Sequence, residues 1–213
     1  MDFSDIKKLA SHGESDTIEF KRKAAHPDKI VKELVAFANS KGGFLLVGVN
    51  DDGSIPGLKF PEDEAYALDQ AIVRYCKPPL RLEHEIVPIS DNRSVLVYNV
   101  KPSRKKPHYV IENFDTRWGQ AFVRVEDKSI KASKEVREIL KRSNRKKDIK
   151  FNFGEKERLL IDYLDKHRYI TLPQFKELAG LTTYMASRTL VLLVLANVLK
   201  IEPSDKNDKY MIK

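Results

Sequence analysis

Apolar and polar residues alternate through Thr17-Ile18-Glu19-Phe20-Lys21, which predicts a strand with Ile18 and Phe20 on the core side. A helix follows. Pro27 suits its first turn, and Ile30, Val31, Leu34, Val35 and Ala38 form one apolar stripe. Asn39-Ser40-Lys41-Gly42-Gly43 ends it, with Gly42 suited to a left-handed cap. Phe44-Leu45-Leu46-Val47-Gly48-Val49 is nearly all apolar, the pattern of a strand buried on both faces. Asn50-Asp51-Asp52-Gly53 is a turn. Residues 62–76 have a helical period. Strands are expected near 82–89, 94–101 and 120–125, and a closing helix after Ser133, a suitable cap. Early alternation of strands and helices, then clustered strands, predicts an α+β fold with a mixed sheet.

A second pattern starts after Phe153-Gly154. Leu159, Leu160, Tyr163 and Leu164 stripe one helix. Thr171-Leu172-Pro173-Gln174 fits a capping box opening another. Ala179-Gly180-Leu181 is a turn, and a third helix is expected over about 183–199. Ile201-Glu202-Pro203 and Lys209–Ile212 can pair as a terminal hairpin. The domain boundaries expected are 1–143, a basic connector at 144–152, and 153–213. Three helices, a glycine turn and a hairpin resemble a winged helix-turn-helix, a DNA-binding motif.

Composition sharpens this picture at one point. The 213 residues carry 39 Lys and Arg against 31 Asp and Glu, a net charge of +8. Residues 1–130 hold 20 of each sign. Residues 131–150 hold nine basic and three acidic, and residues 151–213 ten and eight. The excess therefore lies in one stretch that includes Lys141, Arg142, Arg145, Lys146 and Lys147. Such a stretch attracts a polyanion, nucleic acid first among them. A single cysteine, Cys76, excludes a disulfide framework and a cysteine-based zinc finger. The five histidines show no metal-ligand spacing. The N-terminus lacks a basic and an apolar signal region, and the longest apolar run is Leu190–Ala196. A soluble cytoplasmic protein without a membrane partner is the expectation. Leu190–Leu195 exceeds one helical stripe, so part of it could face a partner chain in a homo-oligomer, such as a dimer.

Several segments resemble the Schlafen-type AlbA domain. They are Glu14–Lys21, Val35–Gly53, Lys106-Pro107-His108-Tyr109, Ala121–Val125 and Ile130-Lys131-Ala132-Ser133. They cover most of residues 10–140, in order. The resemblance implies a nucleic-acid-binding domain, often fused in bacteria to a winged helix and read as a transcriptional regulator. The family pattern carries Gly after the Arg124-Val125 pair, where this sequence has Glu126. Some animal Schlafen proteins cut RNA at a metal-dependent carboxylate site, and by that resemblance Glu14 and Glu19 fall on nuclease carboxylates.

The candidate chemistry divides accordingly. Glu14, Glu19 and Asp51 (or Asp52) are the carboxylate set that magnesium or manganese would need for phosphodiester cleavage. The bland alternative pairs Glu19 with Lys21 and Lys23 and leaves Asp51 in a turn. No cofactor is expected unless the nuclease reading holds. Gly42-Gly43 lacks a phosphate-loop context, since it follows a helix and no GxxxxGK[ST] is present. Lys21, Arg22 and Lys23, and Arg104, Lys105 and Lys106, are candidate phosphate contacts, with Tyr109 available to stack on a base. Arg124 joins them by resemblance. Thr183, Tyr184, Ser187 and Arg188 start the helix that would enter a major groove. The lead expectation is a DNA-binding transcriptional regulator, with DNA ahead of RNA. A metal-dependent ribonuclease and a dimeric interaction module are the alternatives.

Overall fold

In the computed structural model, residues 1–111, 119–143 and 153–213 are described. They form two compact units, Met1–Ile130 and Lys131–Lys213.

The first unit opens with α1 (Phe3–His12). Asp2 and Asp5 cap it reciprocally: the Asp5 N–H donates to Asp2 at 2.9 Å and the Asp2 N–H to Asp5 at 3.1 Å. Next come β1 (Ile18–Lys21), α2 (Pro27–Asn39) and β2 (Gly43–Val47). Helix α3 (Pro61–Tyr75) leads into β3 (Cys76–Lys77), β4 (His84–Ser90) and β5 (Arg93–Val100). Strands β6 (Tyr109–Val110), β7 (Phe122–Val125) and β8 (Lys128–Lys131) complete the series.

The main sheet runs β1-β2-β5-β4. The β1–β2 pair is parallel, with Glu19 opposite Leu45, because α2 carries the chain back across the sheet. The β2–β5 and β5–β4 pairs are antiparallel, so the sheet is mixed as expected. Side chains alternate across it. Leu45, Val47, Leu96 and Tyr98 meet α2 and α3 on one face. Phe20, Leu46, Val95 and Val97 meet Ile6 and Ala10 of α1 on the other. Two short pairs lie outside the main sheet, β3 with β6 and β7 with β8.

The second unit starts earlier than the sequence pattern suggested. Helix α4 (Lys134–Ser143), expected to close the first domain, packs on α7 (Thr183–Leu195), reached through α5 (Glu155–Leu164), β9 (Ile170–Thr171) and α6 (Leu172–Leu178). Its stripe of Val136, Ile139 and Leu140 specifies that one face is covered, not by what. Ser133 caps α4 as expected, accepting from the Val136 N–H at 3.1 Å. Strands β10 (Leu199–Glu202) and β11 (Lys209–Ile212) form the terminal hairpin, and β9 adds to β11 in an antiparallel sheet of order β10-β11-β9. The core joins Leu160, Leu164, Phe175, Leu190, Leu193 and Tyr210. Helix α7 stops at Leu195, so Leu199 enters the sheet instead of extending the helix. No residue of Leu190–Leu195 is exposed. Leu190, Val191 and Leu193 are buried, and Leu192, Val194 and Leu195 are half-buried.

Candidate nucleic-acid interface

In the first unit, the sheet end after β1 and β2 gathers the expected carboxylates. Glu19 is buried on β1, and its Oε2 accepts from Arg124 Nη1 at 2.8 Å. Its Oε1 accepts from Lys21. Arg124 Nη1 also donates to Glu33 on α2 at 2.9 Å, and Nη2 donates to the Ser15 carbonyl at 2.6 Å. The guanidinium lies 4.8 Å from the Phe37 ring centroid. Two carboxylates and two cations thus form a charge-balanced buried centre that ties β1, α2 and β7 together. The Arg124 side chain is 1% exposed. This corrects the expectation that Arg124 touches nucleic acid: it is an internal clasp. Glu33 was not foreseen, because it sits on the polar side of the α2 stripe, where a solvated residue is the ordinary outcome.

Glu14 accepts from the Phe20 N–H at 2.9 Å. Burial pushes its carboxyl above the usual range, the Phe20 bond opposes this, and the charges of Glu19 and Asp51 add to the rise. The three predicted carboxylates therefore do share one neighbourhood. They do not fit a resident magnesium or manganese. Both Glu19 oxygens are engaged by cations, and no group of three His, Cys, Asp or Glu among the described residues is placed to hold an ion. Asp51 is exposed in the turn, and Asp52 shapes that turn by accepting from the Ser54 N–H at 2.9 Å. Lys21 is half-buried on Glu19, while Arg22 and Lys23 beyond it are exposed.

The end of α2 organises a second region. Buried Asn39 donates to the carbonyls of His108 and Phe122, both at 2.9 Å, and accepts from the His108 N–H at 2.8 Å. Lys106 donates to the Ser40 carbonyl at 2.7 Å. Burial holds its ammonium pKa below the usual lysine range. Lys106 is therefore a cap on α2 and not a free phosphate contact, another correction. Arg104 and Lys105 are exposed on the same loop, and Tyr109 is half-buried. His108 is buried, bonded through Nδ1 to the Pro78 carbonyl and through Nε2 to the Ser103 hydroxyl, both at 2.7 Å. Gly42, two residues beyond the Ser40 cap of α2, turns the chain at φ +84°, and a Cβ on Gly43 would lie 2.6 Å from the Phe37 ring. Turn geometry and packing account for both glycines.

In the second unit, Thr182 caps α7 by accepting from the Met185 N–H at 3.3 Å. Thr183, Tyr184 and Arg188 are exposed, Tyr184 at 66%. Tyr184 and Arg188 are four residues apart and share a helix face. Ser187 is different: its hydroxyl donates to Glu135 of α4 at 2.5 Å, so it serves helix packing and not base contact. Lys141 and Arg142 lie in the last turn of α4, with Arg142 lining the same cleft between α4 and α7 as Arg188. Arg145, Lys146 and Lys147 fall outside the described residues.

Comparison with known proteins places these features. The chain is similar to the N-terminal domain of a RecG-related protein from Nitrosomonas europaea, at 26% identity and a TM-score of 0.42, over 56% of this chain and 88% of that one. It is also similar to the DIP2311 protein from Corynebacterium diphtheriae, at 20% identity and a TM-score of 0.48. That match covers 68% of this chain and 32% of the DIP2311 protein, so the chain spans about a third of that protein's length. No curated protein matches the chain. The family model described as "Schlafen, AlbA_2" matches residues 14–133, from the Glu14 carboxylate to the Ser133 cap, ending close to the division at Ile130. That segment is more than half of the sequence, and the chain belongs to the Schlafen AlbA_2 family.

Proposed function

We infer that the chain is a nucleic-acid-binding protein that docks duplex DNA through its second unit, as a transcriptional regulator does. The observation that carries this reading is the exposed start of α7, where Thr183, Tyr184 and Arg188 stand clear of the core. The order α5, β9, α6, α7, then the β10–β11 hairpin, supports a winged helix-turn-helix reading of this unit. In that motif the third helix enters the major groove, where a guanidinium can fork onto a guanine or grip a phosphate. Arg142 lines the same cleft as Arg188, where it pairs with Glu138 at 3.9 Å. Membership of the Schlafen AlbA_2 family supports a nucleic-acid partner. The basic connector, with Arg145, Lys146 and Lys147, supplies sequence-independent attraction to phosphates.

The test is Arg188→Ala in the full chain, measured by fluorescence anisotropy against a library of duplexes. The substitution is expected to weaken binding to the preferred duplex by about 1–3 kcal/mol. Unchanged affinity and unchanged sequence preference would remove α7 from the interface.

A further inference from the structure

The first unit is neutral as a whole, yet its charges are not evenly spread. Segments 77–83 and 99–108 together hold six basic residues and one acidic residue, Glu83. The first segment runs from the end of β3 into β4, and the second leaves β5 towards β6. The strands pair up to His84 opposite Tyr98, and beyond that point the two segments separate. Between them lies a groove of about 740 Å³. Arg81 lines one wall, and Lys101 and Lys105 line the other. All three are exposed, and no carboxylate pairs with any of them among the described residues. Leu80, Leu82 and Pro102 supply apolar surface between the cations.

We propose that this groove binds a single strand of nucleic acid, with Arg81, Lys101 and Lys105 on its phosphates and the leucine and proline surface against its bases. The partner class rests on the nucleic-acid reading above; the site and the single-stranded form go beyond it. A duplex turns its bases inward and offers the wall mainly phosphates, which would leave the apolar floor unused. A single strand presents charge and flat apolar faces in turn, which matches the alternation of cation and hydrocarbon along the groove. An acidic peptide offers charge with little to cover the floor. The walls are also held in place. Asn39 fixes the backbone at His108, and His108 bonds Ser103 on one wall and the Pro78 carbonyl on the other. The groove is therefore spanned by the hydrogen bonds of buried His108 before any ligand arrives, so little ordering is left for binding to supply.

The test compares the full chain with the triple variants Arg81→Ala/Lys101→Ala/Lys105→Ala and Arg81→Glu/Lys101→Glu/Lys105→Glu. Binding of labelled oligo-dT, oligo-U and a duplex is followed by anisotropy across a salt series. Circular dichroism checks that both variants remain folded. Single-strand affinity is expected to fall at least tenfold in the alanine variant and further in the glutamate variant. The salt slope should drop by about 2, near 0.7 for each lost phosphate contact. Duplex binding through Arg188 should change far less. Wild-type affinity and slope in both variants overturn the groove while leaving the duplex reading intact. Equal displacement of the strand by polyglutamate also overturns it, in favour of an acidic peptide. If the wild-type chain binds duplex but neither single strand, only the groove falls. If it binds no nucleic acid at all, both readings fall.

Discussion

Glu126 carries the clearest consequence at the level of one residue. It occupies the turn between β7 and β8 with φ at +54°, a left-handed conformation in which a Cβ is crowded by the backbone. The Schlafen-type pattern has glycine there, and glycine adopts this conformation without that crowding. Glu126→Gly should raise stability by up to about 1 kcal/mol, allowing for the extra freedom glycine gives the unfolded chain. Calorimetry should show the unfolding transition of the first unit shifted upwards by a few degrees. A fall in the midpoint would mean that the Glu126 side chain has a stabilising role exceeding its backbone strain. The sequence showed only the departure from the family's glycine; the turn nevertheless forms with Glu126 in its place.

Between elements, the Glu19–Arg124–Glu33 centre is what couples β7 to β1 and α2. Arg124→Met removes the cation and leaves two carboxylates in low-polarity surroundings. The expected loss is about 3–5 kcal/mol, read as a lower urea midpoint. A variant within experimental error of wild type would show that Glu19 and Glu33 find other partners. The elements themselves were largely legible. Periodicity marked α2, α3, β4 and β5 within a residue or two, because each buries one face of regular geometry. Helix α1 was overlooked, although its signal is present: Asp2 and Asp5 form an acidic capping pair ahead of Ile6 and Ala10. The fate of Arg124 was not legible. A cation on an alternating strand reads as a surface residue, and its two partners lie 105 and 91 positions away. Packing of α4 was hidden for a similar reason, since an amphipathic stripe does not name its cover. Of the candidate contacts, exposure retains Arg22, Lys23, Arg104, Lys105, Lys141, Thr183, Tyr184 and Arg188. Burial withdraws Arg124, and bonding engages Lys106 and Ser187.

For the molecule as a whole, charge and fold divide at about the same place. The unit of residues 1–130 balances its signs and gathers Arg81, Lys101 and Lys105 along one groove. The unit of residues 131–213, with the connector it includes, holds the whole excess of +8. A polyanion would be drawn first to the second unit, while recognition in the first depends on local arrangement rather than net attraction. Each unit also has its own core. Cys76 is the one cysteine, and it lies in the core of the first unit. Burial pushes its thiol up to about 12, and the Sγ donates to the Pro78 carbonyl at 3.4 Å. Thiolate attack on a disulfide reagent must therefore wait for the first unit to open. The labelling rate becomes a clock for that opening and receives no signal from the other unit. Arg124→Met should run the clock faster, and Arg188→Ala should leave it unchanged. Labelling of the native chain at the speed of a free thiol would show that Cys76 is reached without unfolding.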